Sequence, residues 1–60
     1  MYKKIEALMK KHKVTAYQVA KDTGINVSTF SKWKDGTNEP NIESLKKLAN
    51  HFKVSVEYFL

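Results

Sequence analysis

The sequence predicts an all-α protein, a compact bundle of about five short helices. Apolar residues recur at helical spacing, residues that start helices precede these runs, and glycine separates two of them. At 60 residues, the chain is expected to form one domain with a small core, near the lower limit of independent stability. It contains no cysteine, which excludes disulfides and thiolate metal sites, so helix packing or a partner chain must supply the stability.

The first helix is predicted over about residues 2–11. Ile5, Leu8 and Met9 form an apolar stripe at positions i, i+3 and i+4, and Tyr2 extends it backward. A run of lysines lies at the predicted C-terminal end, where positive charge interacts favourably with the helix dipole.

The second helix is predicted over about residues 16–23. Thr15 is a good N-cap, and Gln18 three residues later is expected to complete a capping box. Gly24 follows where the helix must end in a left-handed conformation.

The third helix is predicted over about residues 27–34, with Asn26 as its N-cap. Its apolar residues Phe30 and Trp33 are three positions apart and so lie on one face. Two short helices joined across a glycine form the pattern of a helix-turn-helix, here at about residues 16–34, whose second helix lies in the DNA major groove.

Residues 35–40 have turn chemistry, so a fourth helix is predicted from near Asn41. A fifth is predicted from Val56 to Leu60, with Ser55 as its N-cap. The apolar spacing of all five helices predicts a core of Ile5, Leu8, Val19, Ala20, Ile25, Phe30, Trp33, Ile42, Leu45, Leu48, Phe52, Val54 and Phe59.

One face of the third helix is expected to read DNA. At about 100° per residue, short side chains and one lysine fall opposite the aromatic residues, which lets the helix backbone sit deep in a groove. Val27 offers apolar contact to a thymine methyl, Ser28 a hydroxyl to a base edge, and Lys32 a cation to guanine O6 and N7. Thr29 lies on the flank, nearer to phosphate.

A structural interpretation of the same residues stays open. Ser28, Thr29 and Ser31 are then solvated helix residues, Asn26 is only a cap, and Tyr17 is a surface packing residue. Trp33 is expected in the core rather than as a stacking platform. All eleven basic residues are lysines and the net charge is +5, which fits a polyanion partner without proving one.

The chain closely resembles the Cro/C1-type helix-turn-helix domain of phage repressors such as the lambda repressor and of xenobiotic-response-element regulators. The resemblance lies in V-T-A-Y-Q-V-A-K-D-T-G-I-N-V-S-T-F-S-K-W-K-D-G, P-N-I-E-S-L-K-K-L-A and F-K-V-S-V-E-Y-F-L. It implies a single domain over residues 1–60 that binds operator DNA as a homodimer. Its base-reading positions map onto Val27, Ser28 and Lys32, and further phosphate contacts onto Ala16, Tyr17, Thr37 and Asn38. With the residues of helix three, the predicted phosphate-binding set is Tyr17, Asn26, Thr29, Ser31, Thr37 and Asn38.

The chain departs from the family pattern at three places. Ala16 and Val27 stand where many members have glutamine, and Lys34 stands where many have a glutamate paired to helix one. Met9 occupies about the position of that partner, so both halves of the pair are missing together. These changes affect the individual base contacts rather than the class of protein.

The sequence therefore predicts a DNA-binding transcriptional regulator, most simply a repressor that occludes operator DNA, in the cytoplasm at the nucleoid. Antitoxins and restriction-modification controllers use the same domain. The neighbouring genes would distinguish these functions from a repressor. A protein-interaction module is the alternative from another class, and a gel shift on random duplex DNA separates it.

Other functions are disfavoured. No enzyme activity, cofactor, metal or membrane partner is expected, since there is no glycine-rich phosphate loop and the two histidines, His12 and His51, have no nearby carboxylate cluster. Both histidines are expected to be solvated or capping residues. The resemblance also implies that a dimerisation or effector domain can follow these 60 residues.

Overall fold

The computed structural model describes residues 2–60, which form four α-helices and a C-terminal 3-10 turn. The helices are α1 (Tyr2–His12), α2 (Ala16–Thr23), α3 (Val27–Asp35) and α4 (Ile42–Phe52), and the 3-10 turn covers Val56–Phe59. No strand occurs in the described part of the chain. The all-α prediction is confirmed, with α2 at its predicted bounds and α1 and α3 each one residue longer.

The core is one cluster in which all four helices and the 3-10 turn take part. Its buried members are Ile5, Leu8, Met9, Val19, Ala20, Phe30, Trp33, Leu45, Leu48, Ala49, Phe52 and Phe59. None of the polar or charged residues in 2–60 is buried. Met9 and Ala49 join the predicted set, and both lie on stripes visible in the sequence. Ile25 and Val54 are half-buried and pack against the cluster from its edge.

The prediction that Ile42 belongs to the core is wrong. Ile42 is the first residue of α4 and is 49% exposed. Helical side chains point back toward the N-terminus, so the first residue of a helix is directed past the end of its own packing face. The core-facing stripe of α4 begins one turn later, at Leu45.

The capping box predicted at α2 is only half formed. The Thr15 hydroxyl oxygen accepts a hydrogen bond from the Gln18 backbone N–H at 3.2 Å, as predicted. The Gln18 side chain does not reach back, and its Nε2 donates to the two carboxylate oxygens of Asp22 at 3.2 and 3.1 Å. An ionised carboxylate one helical turn away is a strong acceptor for the NH₂ group of this side chain.

Two helices end on a lysine in left-handed backbone. Lys13 (φ 56°) follows α1 and Lys53 (φ 58°) follows α4. In each case the next residue is a valine whose N–H returns to the helix, from Val14 to the Met9 carbonyl at 3.0 Å and from Val54 to the Ala49 carbonyl at 2.9 Å. These are Schellman-type endings, in which an apolar residue after the cap packs on the helix it closes.

The predicted fifth helix is a single 3-10 turn. The Ser55 hydroxyl accepts from the Glu57 N–H at 3.2 Å, which confirms Ser55 as the N-cap. Phe59 inserts into the core at 2% exposure, while Leu60 is exposed. Four residues are enough to place one aromatic ring, and the tighter 3-10 geometry suits so short a piece.

Both histidines lie against one aromatic ring; His12 is exposed to solvent, as predicted, and His51 is half-buried. His12 and His51 lie 5.1 and 4.9 Å from Phe52, measured between ring centroids. The fold thus brings together two residues that are 39 positions apart. No three His, Cys, Asp or Glu residues within 2–60 are grouped so that they could hold a metal ion.

Candidate nucleic-acid interface

The turn between α2 and α3 sets the angle at which α3 leaves α2. Gly24 adopts the predicted left-handed conformation (φ 79°), and its N–H donates to the Ala20 carbonyl at 2.8 Å. A Cβ at this position would meet nothing within 4 Å, so glycine serves here through its backbone conformation and not by saving space.

Thr23 braces the same turn, a role that the sequence analysis missed. Its hydroxyl donates to the Val19 carbonyl at 2.7 Å and lies 3.4 Å from the Ile25 N–H, which donates to it. This side chain therefore links the last turn of α2 to the first residue after the glycine. A threonine directly before a helix-ending glycine was the available signal, because its hydroxyl can bond to backbone four residues back.

Two aromatic residues fix the rotation of α3 about its axis. Phe30 and Trp33 are 2% and 5% exposed and meet edge to face, with ring centroids 4.8 Å apart. The assignment of Trp33 to the core is confirmed. With this side of the nine-residue helix anchored in the core, the opposite side faces solvent.

The exposed side of α3 carries the three residues predicted to read bases. Val27 is 43% exposed, and Ser28 and Lys32 are also exposed. Ser31 is exposed between them, whereas Thr29 is half-buried on the flank. The fold therefore places all three predicted base-reading side chains on one accessible surface.

Asn26 and Ser28 form a hydrogen-bonded pair at the start of this surface. The Asn26 Oδ1 accepts from both the backbone N–H and the hydroxyl of Ser28, each at 2.9 Å. The cap therefore uses only the oxygen of the Asn26 side chain, which leaves its NH₂ group to donate outward. The Ser28 hydroxyl donates its hydrogen bond to Asn26, so its oxygen lone pairs are available to accept from another donor.

The loop after α3 is tied to the end of that helix. The backbone N–H groups of Thr37 and Asn38 donate to the Lys32 carbonyl at 3.0 and 3.4 Å, and Gly36 provides the left-handed cap (φ 80°). The side chains of Thr37 and Asn38 are exposed. These bonds fix the positions of both residues, which are predicted to contact phosphate, relative to α3.

A shallow groove of about 360 Å³ runs beside the start of α3. We call it the α2–α3 groove; it is lined by Tyr17, Ala20, Lys21, Gly24, Ile25 and Val27. Its α2 residues are spaced i, i+3 and i+4, so they form one face of that helix, and Gly24 follows the helix end. Tyr17 is 68% exposed at the mouth of the groove, next to the predicted interface.

The surroundings of this surface suit an anion. The chain carries eleven lysines against six acidic residues, and Lys21, Lys32 and Lys34 are exposed on α2 and α3. A surface of this charge attracts the phosphates of a duplex. None of the helices in residues 2–60 has the length and apolar character needed to cross a bilayer.

The comparisons with known proteins agree with this geometry. The sequence profile of the Cro/C1-type HTH DNA-binding domain matches residues 4–60. A curated protein, the HTH-type transcriptional activator BcrR of Enterococcus faecalis, is 32% identical over 57 residues. That alignment covers 95% of this chain but only 28% of the relative. No solved structure gave a significant match.

Proposed function

We propose that this chain, which belongs to the Cro/C1-type helix-turn-helix DNA-binding family, is a sequence-specific regulator that places α3 in the major groove of operator DNA. One observation carries the proposal. The aromatic anchors Phe30 and Trp33 occupy one side of α3, and the exposed side offers short residues and Lys32, with Asp35 at its C-terminal end. A helix with short side chains on its exposed side fits the major groove of DNA, which is roughly 12 Å wide.

Base reading is assigned to Val27, Ser28 and Lys32. Val27 supplies apolar contact, the Ser28 oxygen accepts from an exocyclic amine, and Lys32 donates to guanine O6 or N7. The bond from the Ser28 hydroxyl to Asn26 supports the acceptor role, because it commits the proton of that hydroxyl.

Phosphate contacts hold the helix in register without reading sequence. The Asn26 NH₂ group is suited to this role because its oxygen is already used as the cap. The proposed phosphate-binding set is Tyr17, Asn26, Thr29, Ser31, Thr37 and Asn38.

The proposed regulation of transcription results from occupation of operator DNA by the protein. A homodimer bound across an operator within a promoter excludes RNA polymerase, and the chain then acts as a cytoplasmic, nucleoid-associated repressor. Activation is the second candidate, because the relative from Enterococcus faecalis is named a transcriptional activator. Reporter transcription with the operator inside or upstream of the promoter separates the two outcomes.

The proposal is tested by selecting bound sequences from random duplex DNA and then measuring the affinity of variants for the selected operator. Lys32→Ala should lose roughly 1–3 kcal/mol of binding and relax the preference at one base pair. Ser28→Ala should lose about 1 kcal/mol. Affinity should also fall with salt by about one log unit per log unit for each phosphate neutralised.

Lys46→Ala is the matched control, since it removes the same charge from an exposed position on α4, away from α3. It should leave base preference unchanged. Equal effects of Lys32→Ala and Lys46→Ala would reject α3 as the reading helix. Absence of any binding to duplex DNA at low salt would reject the function and favour a protein-interaction module.

A further inference from the structure

The exposed side of α1 consists of lysines around a single alanine. Ile5, Leu8 and Met9 turn the opposite side of this helix into the core. At about 100° per residue, the side that faces solvent carries two pairs of exposed lysines with one exposed alanine between them: Lys3, Lys4, Ala7, Lys10 and Lys11. We call this surface the α1 lysine face. The acidic residue of α1, Glu6, is half-buried at its edge.

The stability of α1 does not account for the lysines at its start. Lys3 and Lys4 lie in the first turn, which contains no acidic residue. The N-terminus of a helix carries partial positive charge, so cations are unfavourable there and favourable only at the other end. By contrast, α4 has an acidic residue, Glu43, in its first turn. The placement of Lys3 and Lys4 therefore indicates a partner that carries negative charge.

The start of the α1 lysine face lies beside the loop that follows α3. A cleft of about 290 Å³ lies between them and is lined by Tyr2, Lys3, Trp33, Gly36, Asn38, Glu39 and Pro40. Asn38 belongs to the proposed phosphate-binding set, so Lys3 adjoins the surface on which the operator backbone is proposed to lie. From there the face continues along α1 for about 10 Å, the length of about three base pairs of duplex.

We propose that the α1 lysine face binds the phosphate backbone of operator DNA just outside the half-site that α3 reads. This inference rests on the DNA-binding function proposed above. DNA fits the face better than a protein or a membrane, because the face has no aromatic, arginine or large apolar residue. Such residues anchor protein interfaces and amphipathic membrane helices. Lysine meets phosphate as a point charge, so these contacts add affinity without adding base preference.

The experiment compares two double variants that each remove two positive charges from adjacent exposed lysines. Lys3→Gln/Lys4→Gln changes the start of the α1 lysine face, and Lys46→Gln/Lys47→Gln changes α4 as the matched control. Affinity is measured between about 50 and 200 mM salt. The selected operator is used in a short duplex that ends at its half-sites and in an extended duplex with about five more base pairs on each side, which exceeds the length of the face.

On the extended duplex, this rise in salt should cost the wild-type protein about tenfold more affinity than it costs Lys3→Gln/Lys4→Gln, because the variant neutralises two fewer phosphates. The base preference of the variant should be unchanged. On the short duplex its salt dependence should match that of the wild type, and Lys46→Gln/Lys47→Gln should match the wild type on both duplexes.

Thermal denaturation separates DNA binding from a structural role of the two lysines. Lys3→Gln/Lys4→Gln should unfold at or above the wild-type midpoint, since it removes two charges that oppose the helix dipole. A lower midpoint would overturn the inference, because the two lysines would then stabilise the fold.

The binding outcomes also separate this inference from the function beneath it. Equal salt dependence of the two double variants on the extended duplex would overturn it and leave the regulator intact. An effect of Lys3→Gln/Lys4→Gln that is the same on short and extended duplexes would overturn the location outside the half-site. An effect confined to capture of a second duplex would assign the face to bridging instead. Failure of the wild-type protein to bind duplex DNA would remove both proposals.

Discussion

Lys53 shows how a single residue can hold an unfavourable backbone conformation where the fold requires one. Its φ of 58° lies in the left-handed region, which disfavours residues that carry a Cβ. The Val54 N–H bond to the Ala49 carbonyl and the packing of Val54 on the core keep it there.

Lys53→Gly should therefore stabilise the protein. Glycine removes the left-handed penalty of about 1–2 kcal/mol. Its greater freedom in the unfolded chain costs roughly 0.5–1 kcal/mol on folding, so the free energy of unfolding should rise by about 0.5–1 kcal/mol. Urea denaturation measures the change. Lys46→Gly makes the same substitution inside α4 and should be destabilising by a similar amount. Two effects of the same sign would contradict the conformational argument.

Individual side-chain partners were the least predictable part of the site. Asn26 was predicted as a cap because capping depends on a local pattern of residue types. Its second bond, to the Ser28 hydroxyl, and the turn of Gln18 toward Asp22 depend on rotamers that sequence spacing does not determine. Exposure of the base-reading residues followed from helical periodicity and is confirmed, whereas their contacts with DNA remain predictions.

At the scale of elements, capping residues and helix-ending glycines made the bounds of the helices predictable. Thr15 and Gly24 bound α2 at the residues expected, since both signals act within one turn. The ends of α1 and α4 carry lysine in place of glycine, so no comparable signal was present. The last element is too short for periodicity to separate an α-helix from a 3-10 turn.

The joint between α2 and α3 depends on the small side chain of Ala20, which is 5% exposed. Ala20→Leu should overpack this joint and destabilise the fold, typically by about 1–3 kcal/mol. Ala20 also borders the α2–α3 groove, into which part of a leucine side chain can move. The expected loss therefore lies near the low end, at about 1 kcal/mol.

Thermal and urea denaturation of Ala20→Leu measure this effect. Ala7→Leu is the control, because Ala7 is exposed on α1 and the same enlargement meets solvent there. Should both variants unfold at the wild-type midpoint, the joint would not be tightly packed.

The dimensions of the whole molecule bear on its assembly. Residues 2–60 measure 25 × 22 × 19 Å along their principal axes. Half-sites read from one side of the duplex are about 34 Å apart, so a single protomer of this size is too short to occupy two of them. A twofold-symmetric operator thus requires two protomers.

Site selection should yield an inverted repeat with half-site centres about 10 base pairs apart. Sedimentation on that duplex should show two protomers per DNA, and one protomer on a duplex with a single half-site. The single half-site should bind more weakly at equal salt. A one-to-one complex on the full operator would refute the dimer.

The residues proposed to read bases lie outside the buried core. Val27, Ser28 and Lys32 are all exposed, while Phe30 and Trp33 between them hold the helix in place. Under the proposed function, copies of this domain can diverge in DNA target at those three positions while keeping the same fold. The same three positions can be changed by design to alter the DNA target. Asn26 should be kept, because its side chain both caps the helix and orients the Ser28 hydroxyl.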